Sequence, residues 1–504
     1  MKYKIICLVL VVVTVITSLS VQNIELGQNR YHQHKEAKEK EVCTSHGEDV
    51  FCTHLPLLNI VTDEEMPEPY VYNADGTIQT TEDGSHVHNN ELVAATVQYF
   101  DNETKNNHLS DVPVWEERAT MRIRGASSRA YDKNGYLLNF KKENMVDTKK
   151  VSMGGMRKDD DWILHGPFLD KTLMRNYIGY NLAGEIMDYA PNVRFCEAYL
   201  NGEYIGVYLI IEEITYNKKG RIDVEKTNAQ IDETSFIVEI DRKPLDDTKS
   251  IETFGTYSYL TYQVGAEKGY FRIAYPNKTL TEGQKEYIES YISRFEKSLF
   301  SFAYDDDDEG YENYIDVDSF IDYFLINEFM LNYDAMGFST YLYKDIIGKM
   351  KLCVWDFNST FDYYENSVIT PKTFLLQEGM WYQHLFKDEA FVKKVEKRYY
   401  NLRERFFNED YLFNYIDETI AYLGPAIERN YEKWGYSFQS EYNGKSYDYL
   451  RPSERNVRSY EEAITQLKDC ISLRISHMDD NIDRLYLLCH ESLNKKFKYE
   501  KEAN

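Results

Sequence analysis

The chain has 504 residues, with 84 Asp and Glu against 58 Lys and Arg, a net charge of -26, and 43% hydrophobic and 15% aromatic residues. That much apolar material fills one large core or two modest ones, which excludes a wholly disordered chain. The acidic excess, with no long Lys/Arg run, argues against a protein that works by neutralising a phosphate backbone, so nucleic acid is not an expected partner.

Met1 to Lys4 carry two lysines, and Ile5 to Val21 carry no charge. A basic start followed by an apolar stretch is delivered to a membrane, either as a cleaved signal peptide, for which Ser18-Leu19-Ser20 supplies small residues, or as a retained anchor. Residues 1–22 therefore predict an extracytoplasmic protein, attached to a membrane if the segment is kept. Residues 23–56 are mostly polar, rich in Lys, Glu, Gln and His, and read as a tether. Cys43 and Cys52, separated by eight residues, are placed for a small disulfide loop in an oxidising compartment.

From Leu57 to about Tyr275 short β-branched and aromatic runs alternate with turn signals such as Asn73-Ala74-Asp75-Gly76 and Asn201-Gly202. One helix interrupts them, Lys171 to Asp188, with Leu173, Tyr177, Tyr180, Leu182 and Ile186 at roughly helical spacing. His86 and His88 sit among Gly, Asp and Asn and read as a solvated turn rather than a metal pair. After Thr279 the period becomes helical over 281–300, 317–332, 388–408, 410–434 and 460–488. A hairpin, Thr340–Lys344 and Lys349–Trp355, lies between the second and third of these helices. The predicted domain is α+β and spans 57–488, with a strand-rich part at 57–278, a helical part at 279–488 and a polar tail at 489–504. Asp305-x-Asp307-x-Glu309-Gly310 with Asp316 approximates a calcium loop, but its fifth and twelfth residues match poorly, and it reads as an acidic linker.

The chemistry concentrates in the stretch Asn327 to Ser339, the hairpin, and Asp356-Phe357-Asn358. In protein kinases a catalytic-loop Asp is followed five positions on by a metal-binding Asn, then a hairpin, then an Asp-Phe-Gly whose Asp holds magnesium. Asp334, with Ser339 five positions later, and Asp356 stand in that order. One carboxylate near the attacking hydroxyl and another on the metal is what phosphoryl transfer needs, because its barrier falls through positioning and charge neutralisation. Asp356 ends an apolar strand, which predicts a rigid mount. Arg122-Ile123-Arg124-Gly125-Ala126-Ser127-Ser128-Arg129 is a small-residue turn flanked by guanidinium groups, where backbone N–H groups can approach an anion, and Lys133 follows it.

Together with Trp162 to Asn176, Asn201 to Glu212, Asn332-Tyr333-Asp334 and Val354 to Asn358, these segments resemble the spore-coat-protein-H (CotH) kinase family over roughly Leu57 to Leu488. The resemblance implies an atypical kinase of bilobal, kinase-like fold that uses ATP with Mg2+ or Mn2+ to phosphorylate serine or threonine in coat or cell-surface proteins. It implies Asp334 as the catalytic-loop aspartate and Asp356 as the metal-holding one, with Ser339 and Asn358 beside the metal. Around the phosphates it places Arg124, Ser127, Lys133, Arg175 and Glu212. Lys133 with Glu212 would form the phosphate-orienting pair, and an interlobe salt bridge is the other reading of Arg175 and Glu212. The family usually has Asn where this chain has Ser339, and Asp-Phe-Asp where it has Asp356-Phe357-Asn358. A hydroxyl and an amide oxygen bring less field to a hard cation. A scaffold that has lost transfer, and acts as a structural or adhesive surface protein, therefore stays open as a second function.

Overall fold

The computed structural model describes residues 30–41, 43, 51–81, 84–216, 221–241, 253–257, 270–363, 365 and 368–495. The apolar segment 5–21 lies outside them, as does the tail beyond 495, and among the described residues no helix is long and apolar enough to cross a membrane.

Seven strands, β1 (Leu57–Thr62), β2 (Val93–Phe100), β3 (Trp115–Arg124), β4 (Gly135–Lys141), β5 (Asp161–His165), β6 (Val193–Leu200) and β7 (Glu203–Glu212), close into a barrel in the order β1-β2-β3-β4-β5-β7-β6. All neighbours are antiparallel except β1 and β6, which close it in parallel with Leu57 opposite Glu197. Along β2 and β4 buried and half-buried residues alternate, because one face fills the barrel with Ala95, Val97, Leu138 and Phe140 while the other meets solvent. β6 and β7 are buried on both faces over most of their length. Helix α1 (Arg175–Ile186) covers β6 from outside, and a later helix, residues 425–434, lies on β7.

The predicted hairpin is present as β11 (Thr340–Lys344) and β12 (Lys351–Cys353), but it is not an isolated insertion among helices. It joins β8 (Phe236–Asp241), β9 (Thr253–Phe254) and β10 (Tyr270–Tyr275) in one sheet of order β12-β11-β8-β10-β9. β11 runs along β8 from Thr340 opposite Ile240 to Lys344 opposite Phe236. The strands of 236–275, assigned from sequence to the first half, thus leave the barrel and build on the second. β8 is a continuous buried run, which needs a partner on each edge, and β10 and β11 supply them.

The helices α2 (Glu282–Phe300), α3 (Val317–Phe329), α4 (Glu389–Arg405), α5 (Glu409–Leu423), α6 (Pro425–Trp434) and α7 (Tyr460–Asn481) share a continuous apolar core with α1 and the five-stranded sheet. Their starts are capped as the sequence dictates: Thr281 and Gln284 form a capping box, and Asp316, Asp388, Asn408 and Ser459 accept first-turn N–H groups. The helix expected over 410–434 is two, because Gly424 turns at φ +47° and Pro425 has no N–H to continue the ladder. Asp316, as a helix cap, and Asp305, held by Ser492 and Lys495, do not converge on a calcium loop.

Two expectations for the predicted tether are corrected. Cys43 and Cys52 are not joined by a disulfide. Residues 30–35 are not a free linker but dock on the domain: Arg30 donates to Asn181 Oδ1 (3.1 Å) and to the carbonyls of Ala190 (2.9 Å) and Pro191 (2.5 Å). The Gln33 amide matches both backbone groups of Phe195, at 2.6 and 3.1 Å.

Candidate functional site

Asp356 leaves β12 in the left-handed region, φ +57°, and is held from three sides. Its N–H donates to Tyr180 Oη of α1 (3.0 Å), its carbonyl accepts from Asn332 Nδ2 (3.1 Å), and its Oδ1 accepts the Asn358 N–H (3.2 Å). The next residue, Phe357, is fully buried against α1 at Gly179, where a Cβ would overlap the ring, and its N–H donates to Asn176 Oδ1 (2.7 Å). The rigid mount expected for Asp356 is therefore built by α1 as much as by the hairpin. Burial, with the Asp356 charge adding to it, pushes the Tyr180 hydroxyl well above its ordinary range, so it stays a neutral acceptor for the Asp356 N–H.

Asp334 lies in a tight loop with left-handed residues at Leu331, Met336 and Ser339. Its carbonyl accepts the N–H groups of Gly337 (3.1 Å) and Phe338 (2.7 Å), and the loop winds about the buried Thr340 hydroxyl, which meets Met336 N, Phe338 O and Tyr323 Oη. Asn332 joins this loop to the first: one amide N–H reaches Asn327 Oδ1 (2.9 Å), the other the Asp356 carbonyl. Ser339, 9% exposed, precedes β11 at the end where Asp356 follows β12, since Tyr341 pairs with Cys353.

The turn after β3 is organised by Arg129, whose guanidinium donates to the carbonyls of Gly125 (2.7 Å), Ile123 (2.9 Å), Asn89 (2.8 Å) and Pro69 (3.1 Å) and to Asn90 Oδ1 (2.7 Å). Its charge serves the turn and not a ligand. Arg124 is the guanidinium that reaches the Asp356 loop, stacked over Trp355 at 5.6 Å, and Ser127 is exposed at the turn.

Three of the expected phosphate groups lie elsewhere. Lys133 is buried, donating to the Val207 carbonyl (2.6 Å) and Asn430 Oδ1 (2.7 Å). Glu212 accepts from the Asn192 backbone and amide (2.9 Å each), so the Lys133–Glu212 pair does not form. Arg175 is fully buried, bridged to Asp170 at 2.6 Å and donating to the Thr360 carbonyl (3.0 Å), so the Arg175–Glu212 bridge does not form either. The carboxylate near Arg124 is the next residue, Glu213, raised to about 7 by burial and by Asp161, against the pull of Arg221, Arg124 and Arg122. Successive residues along an extended chain point to opposite faces, and that alternation separates Glu213 from Glu212.

His165, at the end of β5, was not singled out by sequence. Its Nε2 lies 3.1 Å from Asn176 Nδ2, and burial pushes its imidazole down to about 4 against the favourable Asp356 charge. The one signal in the sequence is that His165 and Asn176 both lie within the Trp162–Asn176 segment that carries part of the resemblance. A cleft of about 900 Å3, lined by Arg30, Tyr189, Arg221, Asp316 and Lys351 among others, contains none of the expected site residues.

For a divalent cation this corner offers oxygen donors: the Asp356 carboxylate, the Asn358 amide and, by position, the Ser339 hydroxyl. Among the described residues no three His, Cys, Asp or Glu gather to hold a metal by themselves. Magnesium is commonly held by one or two carboxylates together with substrate phosphates, and the donor set fits that mode. No curated protein matches the chain. The family model described as CotH kinase protein matches residues 121–478, a span that holds the Arg124 turn, the Asn332–Ser339 loop and the Asp356 loop, and the chain belongs to the CotH kinase family.

Proposed function

We propose that the chain transfers the γ-phosphoryl group of ATP, held with Mg2+ or Mn2+, to serine or threonine of extracytoplasmic proteins. The observation that supports this reading is the Asn332 link, which ties the Asp334 loop to the backbone carbonyl of Asp356 and so keeps the two loops together. Asp356, with Asn358 and Ser339, would hold the cation, which when bound neutralises charge on the phosphates. Asp334 orients the acceptor hydroxyl and takes its proton as the oxygen bonds to phosphorus and the bond to the ADP oxygen breaks. Arg124, kept in place by the Trp355 ring, directs positive charge to the phosphates. The apolar segment 5–21 supports an extracytoplasmic acceptor.

The test is incorporation of labelled phosphate by the full chain with Mg2+ or Mn2+ and mixed acceptor proteins. The Asp356→Ala variant should lose about 100-fold or more of the rate and still unfold cooperatively. A second reading, the scaffold without transfer, is favoured by the single carboxylate in the metal's donor set. No incorporation from the parent with either metal, together with no thermal stabilisation by ATP, would establish that second reading.

A further inference from the structure

The hydrogen bonds of Asn176 determine a proton position beside the site. A backbone N–H only donates, so the contact from Phe357 N (2.7 Å) must fall on the carbonyl oxygen of the Asn176 amide. The NH2 end is then the group 3.1 Å from His165 Nε2, and an NH2 also only donates. Nε2 therefore carries the lone pair, and the ring is neutral with its proton on Nδ1. Among the described residues His165 makes no other side-chain hydrogen bond, and the residue as a whole is half-buried. The charged groups that act on this ring include Asp356 and Arg124, the groups that define the phosphate corner.

We propose that His165 is a substrate-contacting donor of this kinase site, giving its Nδ1–H to a phosphoryl oxygen of bound ATP with its tautomer locked by Asn176. The proposal rests on the ATP reading above. A neutral donor suits this place: it binds an anionic oxygen without adding a positive charge that would oppose a cation at Asp356. In this tautomer Nδ1 has no lone pair to offer, so His165 is assigned to the phosphate and not to the metal.

Two substitutions separate the ring's two ends. In His165→Gln the amide reaches the Nε2 position and keeps a partner for Asn176 but loses the Nδ1 donor; in His165→Asn the amide NH2 occupies the Nδ1 position. With the full chain and Mg2+ or Mn2+, the Kd for ATP should rise about tenfold in His165→Gln, the size of a lost hydrogen bond to a charged group, and stay within about threefold of the parent in His165→Asn. Long-range 1H–15N spectra of the ligand-free chain, assigned by loss of the signal in His165→Gln, should show the neutral Nδ1–H form. Equal ATP affinity in the parent and His165→Gln, or an Nε2–H or imidazolium signal, overturns the role of His165 and leaves the kinase reading standing. A parent that binds no ATP with either metal overturns both.

Discussion

Lys133, Arg175 and Glu212 are charged, lie close in sequence to the segments that build the site, and are spent on the fold. A buried ammonium such as Lys133 costs desolvation and is driven well below its ordinary pKa, a cost met by a carbonyl and an amide oxygen. Arg175 gives its charge to Asp170 and its Nε–H to the Thr360 carbonyl, which fixes the chain just past Asn358. Arg124 is the one expected phosphate cation whose guanidinium stacks on a residue of the Asp356 loop. Replacement of Lys133 by Met should leave the ATP Kd within about twofold, since its ammonium hydrogen-bonds the Val207 carbonyl and Asn430 rather than any residue of the Asp356 loop, whereas Arg124→Ala should weaken it about tenfold, the size of a lost charge-assisted contact. Isothermal titration of both variants checks this, and a tenfold loss in Lys133→Met would return that lysine to the phosphates.

α1 is the element through which two distant parts of the chain meet. Asn176, Gly179 and Tyr180 face the Asp356 loop, while Tyr177, Asn181, Gly184 and Glu185 receive the docked residues 30–34. His34 seals that contact, with Nδ1 2.8 Å from Tyr177 Oη, Nε2 3.7 Å from Glu418 and its ring against Tyr415. Burial lowers its pKa to about 3, assisted by the positive charges of His32 and Lys35. The folded protein keeps His34 neutral to that pH, while the unfolded chain protonates it near 6.5, so unfolding takes up a proton in between and stability falls as pH falls through this window. The thermal midpoint should therefore drop between pH 7 and about 4, and His34→Gln should flatten the drop; parallel profiles for the two proteins would refute the assignment. α1 is buried nearly all round, so its spacing announced a helix while no amphipathic stripe showed which neighbours it serves.

Across the whole molecule, one buried ion pair holds the segment that follows the Asp356 loop. Glu328, at the end of α3, meets Arg474 of α7 at 2.5 Å with both side chains fully buried, and its carboxylate also accepts the N–H groups of Leu375 (2.9 Å) and Leu376 (2.7 Å). Arg474 donates in addition to the carbonyls of Glu328, Pro371 and Thr373. Removing one partner leaves the other charged and uncompensated, so Arg474→Met should cost about 3–5 kcal/mol of stability by urea unfolding; a loss under about 1 kcal/mol would show that the pair is not the anchor. What the sequence by itself determined was local. Periodicity, caps and turns placed most helices and strands, and the order of Asp334, the hairpin and Asp356 singled out the two candidate loops, because each rests on residues a few positions apart. Tertiary structure alone decided that β8 pairs with the hairpin, that Arg30 to Lys35 dock, that Glu213 rather than Glu212 lies near Arg124, and that Asn332 and Asn176 bind the Asp356 loop with His165 beside Asn176. Those outcomes depend on which faces meet between segments that are 11 positions apart for His165 and Asn176, 24 for Asn332 and Asp356 and 151 for Arg30 and Asn181, and a side chain's type states what it can bond to but not which partner the packed chain will bring.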